Sequence, residues 1–254
     1  MIIDNGRVFG EIIKGDFLGA KLQRGQVVAT VPDSGPRILD IDVLASGPTD
    51  SGMRALRETP LREDIGDIVD EFNASGGKLE LDLTLDIPLA KDTPIRPSEG
   101  ETKANADIII TGAGLSMPSN SLYVDNASGI LNFNLVDGLT AKELGGDIFG
   151  GSFHGKIVSK QDREKHKTVV MLTGNAKLEA IKDWFQTPLN DPLSGQTDYD
   201  LNIHIRDDLV SGKTKSYLVI KSDLYGVTVD YPRPFNKAAD EKIPFSHVMT
   251  LGGK

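Results

Sequence analysis

Ten residues limit what this chain can fold into more than any others. Lys78-Leu-Glu-Leu-Asp-Leu-Thr-Leu-Asp-Ile87 alternates apolar and polar side chains without a break. A period of two places Leu79, Leu81, Leu83, Leu85 and Ile87 on one face of a strand. Glu80, Asp82, Thr84 and Asp86 fall on the other face. A helix would scatter the five apolar residues around its axis, so the stretch is a strand with one dry and one wet side. Asp198-Tyr-Asp-Leu-Asn-Ile-His-Ile205 has the same one-sided character, with Leu201, Ile203 and Ile205 in phase.

The rest of the chain supports a sheet. It holds 27 glycines and only 6% aromatic residues, and glycines separate many short apolar runs. Residues 7–31 read as a meander of short antiparallel strands, and 38–45 as another strand. Further short strands are expected at 105–111, 115–118, 121–124, 129–135, 147–158 and 168–174. Residues 139–144 read as a strand edge or turn, and Glu164 to Lys167 as a charged hairpin tip. Helices are expected at 51–59, where Met53 and Leu56 face inward, and at 178–185, where Leu178, Ile181, Trp184 and Phe185 share a side. Residues 63–73 carry Ile65, Ile68, Val69 and Phe72 at helical spacing. Thr59-Pro60 and Thr187-Pro188 stop the helices that precede them, because the residue before proline avoids helical geometry. The polar, proline-bearing stretch from Pro88 to Ala104 is a loop.

Two parts of the chain overlay on each other. Gly15-Asp-Phe-Leu-Gly, a strand, a helix, Thr59-Pro-Leu61 and a one-sided strand from Leu79 form the first. Gly146-Asp-Ile-Phe-Gly, a strand, a helix, Thr187-Pro-Leu189 and a one-sided strand from Tyr199 form the second. The division expected is 1–104 and 105–254, two related meander–helix–strand units in one continuous elongated sheet.

Charge and composition remove several functions. The formal net charge is −9 and the pI about 5.0, which disfavours nucleic acid as a partner. No cysteine is present, so disulfides, thiol catalysis and cysteine metal sites are excluded. No run of about 18 apolar residues offers a membrane span. Met1 leads into Ile2-Ile3-Asp4 without a basic n-region, which suits a cytoplasmic protein or a piece of a longer chain.

Candidate chemistry is sparse. His154, His166, His204 and His247 lie far apart without ligand spacing, so no metal site is expected. Gly145-Gly-Asp-Ile-Phe-Gly-Gly151 lacks the lysine and the strand–helix setting of a phosphate loop. Glu80, Asp82 and Asp86 share a strand face at about 7 Å between alternate positions, near glycosidase spacing. Acidic residues alternating on a strand more often form a solvated face.

The end of the chain carries the most specific pattern. Leu218 to Ser222 reads as a strand, Tyr225-Gly226 as a tight turn and 227–229 as a short second strand. Pro232 and Pro234 then lock an exit. Ser222-Asp-Leu-Tyr-Gly-Val followed by Asp230-Tyr-Pro-Arg-Pro-Phe-Asn-Lys237 resembles the Ser-Asp-Leu-x-Gly…Leu-Pro-x-Pro…Lys signature of the YhdP family of AsmA-like bacterial envelope proteins. Tyr231 stands where leucine is common. Thr187-Pro-Leu, Ser194-Gly195, the Tyr199 strand and Leu81-Asp-Leu-Thr-Leu-Asp-Ile-Pro-Leu89 fit the same family.

The resemblance implies a mainly β fold with a few short helices, a long curved antiparallel sheet shaped like a taco with an apolar groove. It implies carriage of phospholipid between inner and outer membranes and upkeep of the outer-membrane barrier, with no reaction and no cofactor. It places the protein in the periplasm, held to the inner membrane by an anchor outside this chain, with neighbouring segments as partners. Groove candidates are Leu79, Leu81, Leu83, Leu85, Ile87, Leu201, Ile203 and Ile205. The same set also fits a core face covered by the helices at 51–59 and 178–185. A structural spacer of the cell envelope without bound lipid is the alternative role.

Overall fold

The computed structural model describes residues 2–4, 7–30, 37–58, 68–89, 102–118, 121–162, 165–185, 192–208 and 213–251. Among them the chain runs through β1 (Ile2–Asp4), β2 (Arg7–Ile12), β3 (Gly15–Phe17), β4 (Ala20–Thr30) and β5 (Arg37–Gly47). Helix α1 (Thr49–Glu58), the single turn α2 (Ile68–Glu71) and β6 (Asn73–Ser75) lead to β7 (Lys78–Leu89). Five long strands follow: β8 (Lys103–Met117), β9 (Leu122–Asn134), β10 (Gly138–Ile148), β11 (Gly151–Asp162) and β12 (Lys165–Lys177). Helix α3 (Leu178–Phe185), β13 (Leu193–Asp208), β14 (Lys213–Ser222), β15 (Val227–Val229) and β16 (Phe245–Leu251) complete the chain.

The sixteen strands belong to one open sheet whose main path is β1-β2-β4-β5-β7-β8-β9-β10-β11-β12-β13-β14-β16. Every pairing is antiparallel, and the path does not close into a barrel. The expected fold class is therefore the observed one: mainly β, few short helices, open antiparallel sheet. The sheet is continuous through Ala104, which lies inside β8. Short pieces complete the ranks. β3 pairs with the start of β4 while β2 pairs with its end, and β6 lies alongside β8 beyond the start of β7.

Several expectations change. The short strands expected at 105–111 and 115–118 are one strand, β8, and those at 121–124 and 129–135 are β9. Register shifts at Ile110/Ala113 and Ala113/Leu115 absorb the breaks in alternation that made them look separate. Residues 139–144 lie wholly inside β10, with a shift between Ala141 and Leu144. In the expected helix at 63–73, only Ile68–Glu71 is helical among the described residues, and Asn73 begins a strand. The centre of the loop after Pro88, both Thr-Pro-Leu marks and residues 163–164 of the charged tip lie outside the described residues.

The C-terminal correction is larger. β15 does not fold back on β14; it pairs with Leu193–Gly195 at the start of β13. Nor do the prolines end the sheet. The chain returns as β16, which pairs with β14 through Leu218↔Met249 and Ile220↔His247. The alternation His247, Met249, Leu251 supplies the signal for this strand.

The main cluster of buried residues sits on one face of β8–β14 and β16, with Met117, Phe149, Phe153, Tyr199, Leu201 and Leu218 among its members. Helix α3 adds buried Leu178 and half-buried Ile181. The side chains of Trp184 and Phe185 are outside the described set. Both helices start beside a hairpin tip. At Leu18-Gly19 and at Phe149-Gly150 both central residues have positive φ (52° and 92°, 55° and 72°), the signature of a type I′ turn. A Cβ on Gly19 would lie 3.0 Å from the hydroxyl of Ser51, and one on Gly150 would lie 3.5 Å from the methyl of Ala180. Ser51 and Ala180 each occupy the third position of their helix.

Candidate functional site

Antiparallel partners point to the same side of a sheet, so the register assigns a face to each side chain. Leu81 opposes Ile108, Ile108 opposes Leu131, and Leu131 opposes Ala141. The row continues through Ile157, Val170, Ile203, Leu218 and Met249. In the other direction it passes through Ala45 to Leu22. Every member is apolar. The neighbouring row holds Val43, Leu83, Ala106, Phe133 and Leu139. The structure thus puts Leu79, Leu81, Leu83, Leu85 and Ile87 on the same face as Leu201, Ile203 and Ile205, although they belong to strands far apart in the sheet.

Exposure along that face is graded. Val8 and Ile12, near the β1 edge, are 37% and 38% exposed. Leu79, Leu81, Leu83, Leu85 and Ile87 of β7 are all half-buried, as are Ile203 and Ile205. Leu201 and Leu218 are 2% and 1% exposed. Among the described residues, the helices cover one end of the strands. α1 meets the face at Leu79, whose Cδ2 would lie 3.2 Å from a Cβ on Gly52. α3 follows directly on β12 at the corresponding end, beside the cluster of Phe149, Phe153 and Tyr199. Among the described residues, a half-buried region and a helix-covered region therefore lie on one face.

Glycines shape the covered end. Gly146, Phe153, Gly174 and Tyr199 form one cross-strand row. A Cβ on Gly146 would lie 2.9 Å from the Phe153 ring, and one on Gly174 would lie 2.8 Å from the Tyr199 hydroxyl. The adjacent row repeats the device, with Leu144 over Gly129 and Leu172 over Gly155 at 2.6 and 2.5 Å by the same measure. Each bulky side chain lies across the bare backbone of the preceding strand, an aromatic or aliphatic cover for glycine. The surface stays apolar and low.

Tyr199 was not among the expected site residues. Its ring meets Phe149 edge-on at 5.9 Å, and it is 2% exposed. Its hydroxyl has no hydrogen-bond partner among the described residues. Burial raises the phenol's pKa well above the usual tyrosine value, so it stays a neutral donor. The sequence signal for its setting is Gly174, but only the register brings the two together.

The opposite face is mixed, with exposed Ile109, Ile130, Met171 and Val248 among its polar residues. Glu80, Asp82 and Thr84 are exposed. Asp82 opposes Asp107, which accepts a hydrogen bond from Asn132 Nδ2 at 2.6 Å. Asn175 Nδ2 donates to Asp198 at 2.9 Å. Acidic residues here form a solvated ladder rather than a paired cleft. His204 is stacked on Tyr217 at 4.6 Å on this side. Among the described residues, no group of three or more His, Cys, Asp or Glu is placed to hold a metal ion, and no helix is long and apolar enough to cross a membrane.

The C-terminal motif is a set of structural contacts. Ser222 Oγ accepts from the Leu224 amide at 3.0 Å, and Asp223 Oδ1 accepts from the Tyr225 amide at 3.0 Å. Gly226 has φ 88°, and a Cβ there would lie 2.3 Å from the Gln196 carbonyl oxygen. Lys237, 3% exposed, donates from Nζ to the carbonyls of Val227 (2.8 Å) and Ala238 (2.9 Å). The motif residues thus fasten the segment between β14 and β16 against β13.

The chain is 24% identical over 232 residues to "Intermembrane phospholipid transporter YhdP" of Escherichia coli (strain K12), covering 87% of this chain and 17% of that protein. The chain thus spans about a sixth of the length of that relative. No solved structure matches it. The family model described as YhdP protein matches residues 1–251. The chain belongs to the YhdP protein family.

Proposed function

We propose that this chain is a segment of a lipid-conducting envelope protein and that its apolar sheet face holds phospholipid acyl chains. The observation that carries this reading is the row from Leu22 through Leu81 and Ile203 to Met249, apolar at every position and only half-buried at Leu81 and Ile203. Acyl chains on such a face leave water at about 0.8 kcal/mol per buried methylene. The polar headgroup stays toward solvent, and no bond is made or broken. The name of the E. coli relative, an intermembrane phospholipid transporter, supports phospholipid as the cargo.

In this reading Leu79, Leu81, Leu83, Leu85, Ile87, Ile203 and Ile205 contact acyl chains, and Leu201 lies in the layer beneath. The two hairpin-tip-and-helix corners belong to two repeated units, 1–104 and 105–254, that extend one trough. Neighbouring segments would add at the outer strands β1 and β16, whose far edges carry no strand among the described residues. Inner and outer membranes are the source and the destination, which makes the periplasm the place of action and supports the outer-membrane barrier. The test is mass spectrometry of an organic extract of the purified chain, compared with a mock purification. Phospholipid in stoichiometric amount is expected; a lipid-free chain that also fails to take up phospholipid from vesicles favours the spacer role.

A further inference from the structure

We propose that the Tyr199 hydroxyl donates a hydrogen bond to an uncharged acceptor on the lipid, the ester carbonyl of an acyl chain, and so makes the trough selective for ester-linked lipid; this rests on the function proposed above. A buried hydroxyl left without a partner destabilises a fold. Tyr199 is such a case, with its ring buried and its oxygen unpartnered among the described residues. Gly174 leaves open the space that the hydroxyl occupies. Phenylalanine would fill the ring position without the cost.

The surroundings select the acceptor. The row beside the hydroxyl is Gly146, Phe153 and Gly174, and the Phe149 ring packs against the Tyr199 ring in a T-shaped contact at 5.9 Å. None of these side chains carries a positive charge to balance a phosphate. A neutral carbonyl is the acceptor that can approach without a large desolvation cost.

Position along the strand agrees. Tyr199 lies at the α3 end of the face, and Leu201, Ile203 and Ile205 follow it in phase toward the half-buried end. From Tyr199 to Ile205 is about 20 Å at the rise of a strand. That matches the ~15 Å depth of one leaflet of bilayer hydrocarbon, half of about 30 Å, with room for the ester linkage. An acyl chain can lie along β13 over Ile203 and Ile205 with its carbonyl end toward Tyr199; the hydroxyl is buried, so the cluster around it must open to admit the carbonyl. The headgroup then projects past the helix-bearing rim.

The experiment loads the intact chain from vesicles of a diacyl phosphatidylcholine or of its dialkyl ether analogue of equal chain length, and quantifies retained lipid. Wild type is expected to retain the ester form about three- to tenfold more, the factor of one net neutral hydrogen bond. Tyr199→Phe is expected to retain both forms equally and to melt no lower than wild type when lipid-free. Equal retention by wild type, or an ester preference that survives Tyr199→Phe, overturns the assignment while leaving the trough intact. If wild type retains neither lipid, the trough reading falls and this inference falls with it.

Discussion

Leu81 on β7 and Ile203 on β13 lie in one uninterrupted cross-strand row, separated by Ile108, Leu131, Ala141, Ile157 and Val170. The two are 122 positions apart in the chain (203 minus 81), yet they face the same side. A shift of one residue in any intervening pairing would turn one of them to the solvent side. The register shifts in β8–β10 preserve the phase: after each irregularity the next apolar residue is again on the common face. Continuity of the face is thus a property of the pairing, and it can be interrupted at single points.

Leu81→Asp and Ile203→Asp are therefore expected to cut retained phospholipid severalfold while the strand signal in circular dichroism persists. Both sites are half-buried, so the loss of apolar burial is about 1 kcal/mol, half that of a fully buried leucine. Asp82→Asn, on the solvent side of the same strand, should leave retention unchanged. Retention that ignores both face substitutions would remove the acyl-chain role from this row.

A second expectation concerns the glycines under the covers. A Cβ on Gly155 would fall 2.2 Å from the Met171 carbonyl oxygen and 2.5 Å from Leu172 Cδ2. Gly155→Ala should lower stability in chemical denaturation by about 1–3 kcal/mol, the usual cost of overpacking. Gly10→Ala, whose nearest contact would be 3.9 Å away, should be near neutral. Equal effects at both positions would show that close strand approach is not what requires glycine at 155.

Much of this architecture is legible in the residues. The alternation in Lys78–Ile87 and in Asp198–Ile205 gives the strand faces, and the apolar spacing at 178–185 gives α3. Other features were hidden for definite reasons. Bulges in β8 and β9 break the period of two, so long strands look like short ones. β15 follows β14 after a tight turn but pairs with β13, and local sequence does not carry that choice. β16 is a single edge strand whose outward residues Ser246, Val248 and Thr250 mix polar and apolar types, which blurs its alternation. Of the candidate site, the participating strands were legible but the joining of their faces was not, because a shared face requires every register between them. Tyr199 was passed over because a buried hydroxyl without a partner is defined by its surroundings rather than by its type.

Lys237 offers a test of the C-terminal motif. It is buried, and its Nζ donates to the carbonyls of Val227 and Ala238, the second of which also accepts from the Glu241 amide at 3.2 Å. Lys237→Met keeps the length of the side chain and removes both donors. The two carbonyls lose these bonds, at a cost of about 1–3 kcal/mol. Hydrogen exchange should quicken at the Gly226 and Val229 amides, which bond to Ala239 and Lys237 carbonyls across the same segment. Arginine is not expected to substitute, since its planar fork does not fit a compact ammonium site. Unchanged exchange in Lys237→Met would make the motif lysine dispensable for fastening the segment.

The same segment has a pH-dependent tie at its other end. Lys242 Nζ lies 2.7 Å from Asp223 Oδ2. The hydrogen bond from Lys242, followed by that from the Tyr225 amide, holds the Asp223 carboxyl below its ordinary value. The bond from Asp223 holds the Lys242 ammonium above its own. For a depressed carboxyl, the stabilising contribution is present above the unfolded pKa and is lost as pH falls through the folded one. For a raised ammonium, it is present below the unfolded pKa and is lost as pH rises through the folded one. The tie therefore operates fully between about 4 and about 10, the ordinary values of the two groups. It weakens in acid below the ordinary carboxylate range and in alkali above the ordinary lysine range. Both groups are exposed, so global stability should change little; the readout is local. The Ile243 amide, bonded to the Asp223 carbonyl at 2.8 Å, should keep a flat protection factor through neutral pH and lose it at either extreme. Lys242→Ala should move the acid limb upward, because Asp223 then titrates nearer its ordinary value. An acid limb that stays in place in Lys242→Ala would mean that the Tyr225 amide alone sets the Asp223 titration, and the ion pair would then have no part in holding the segment.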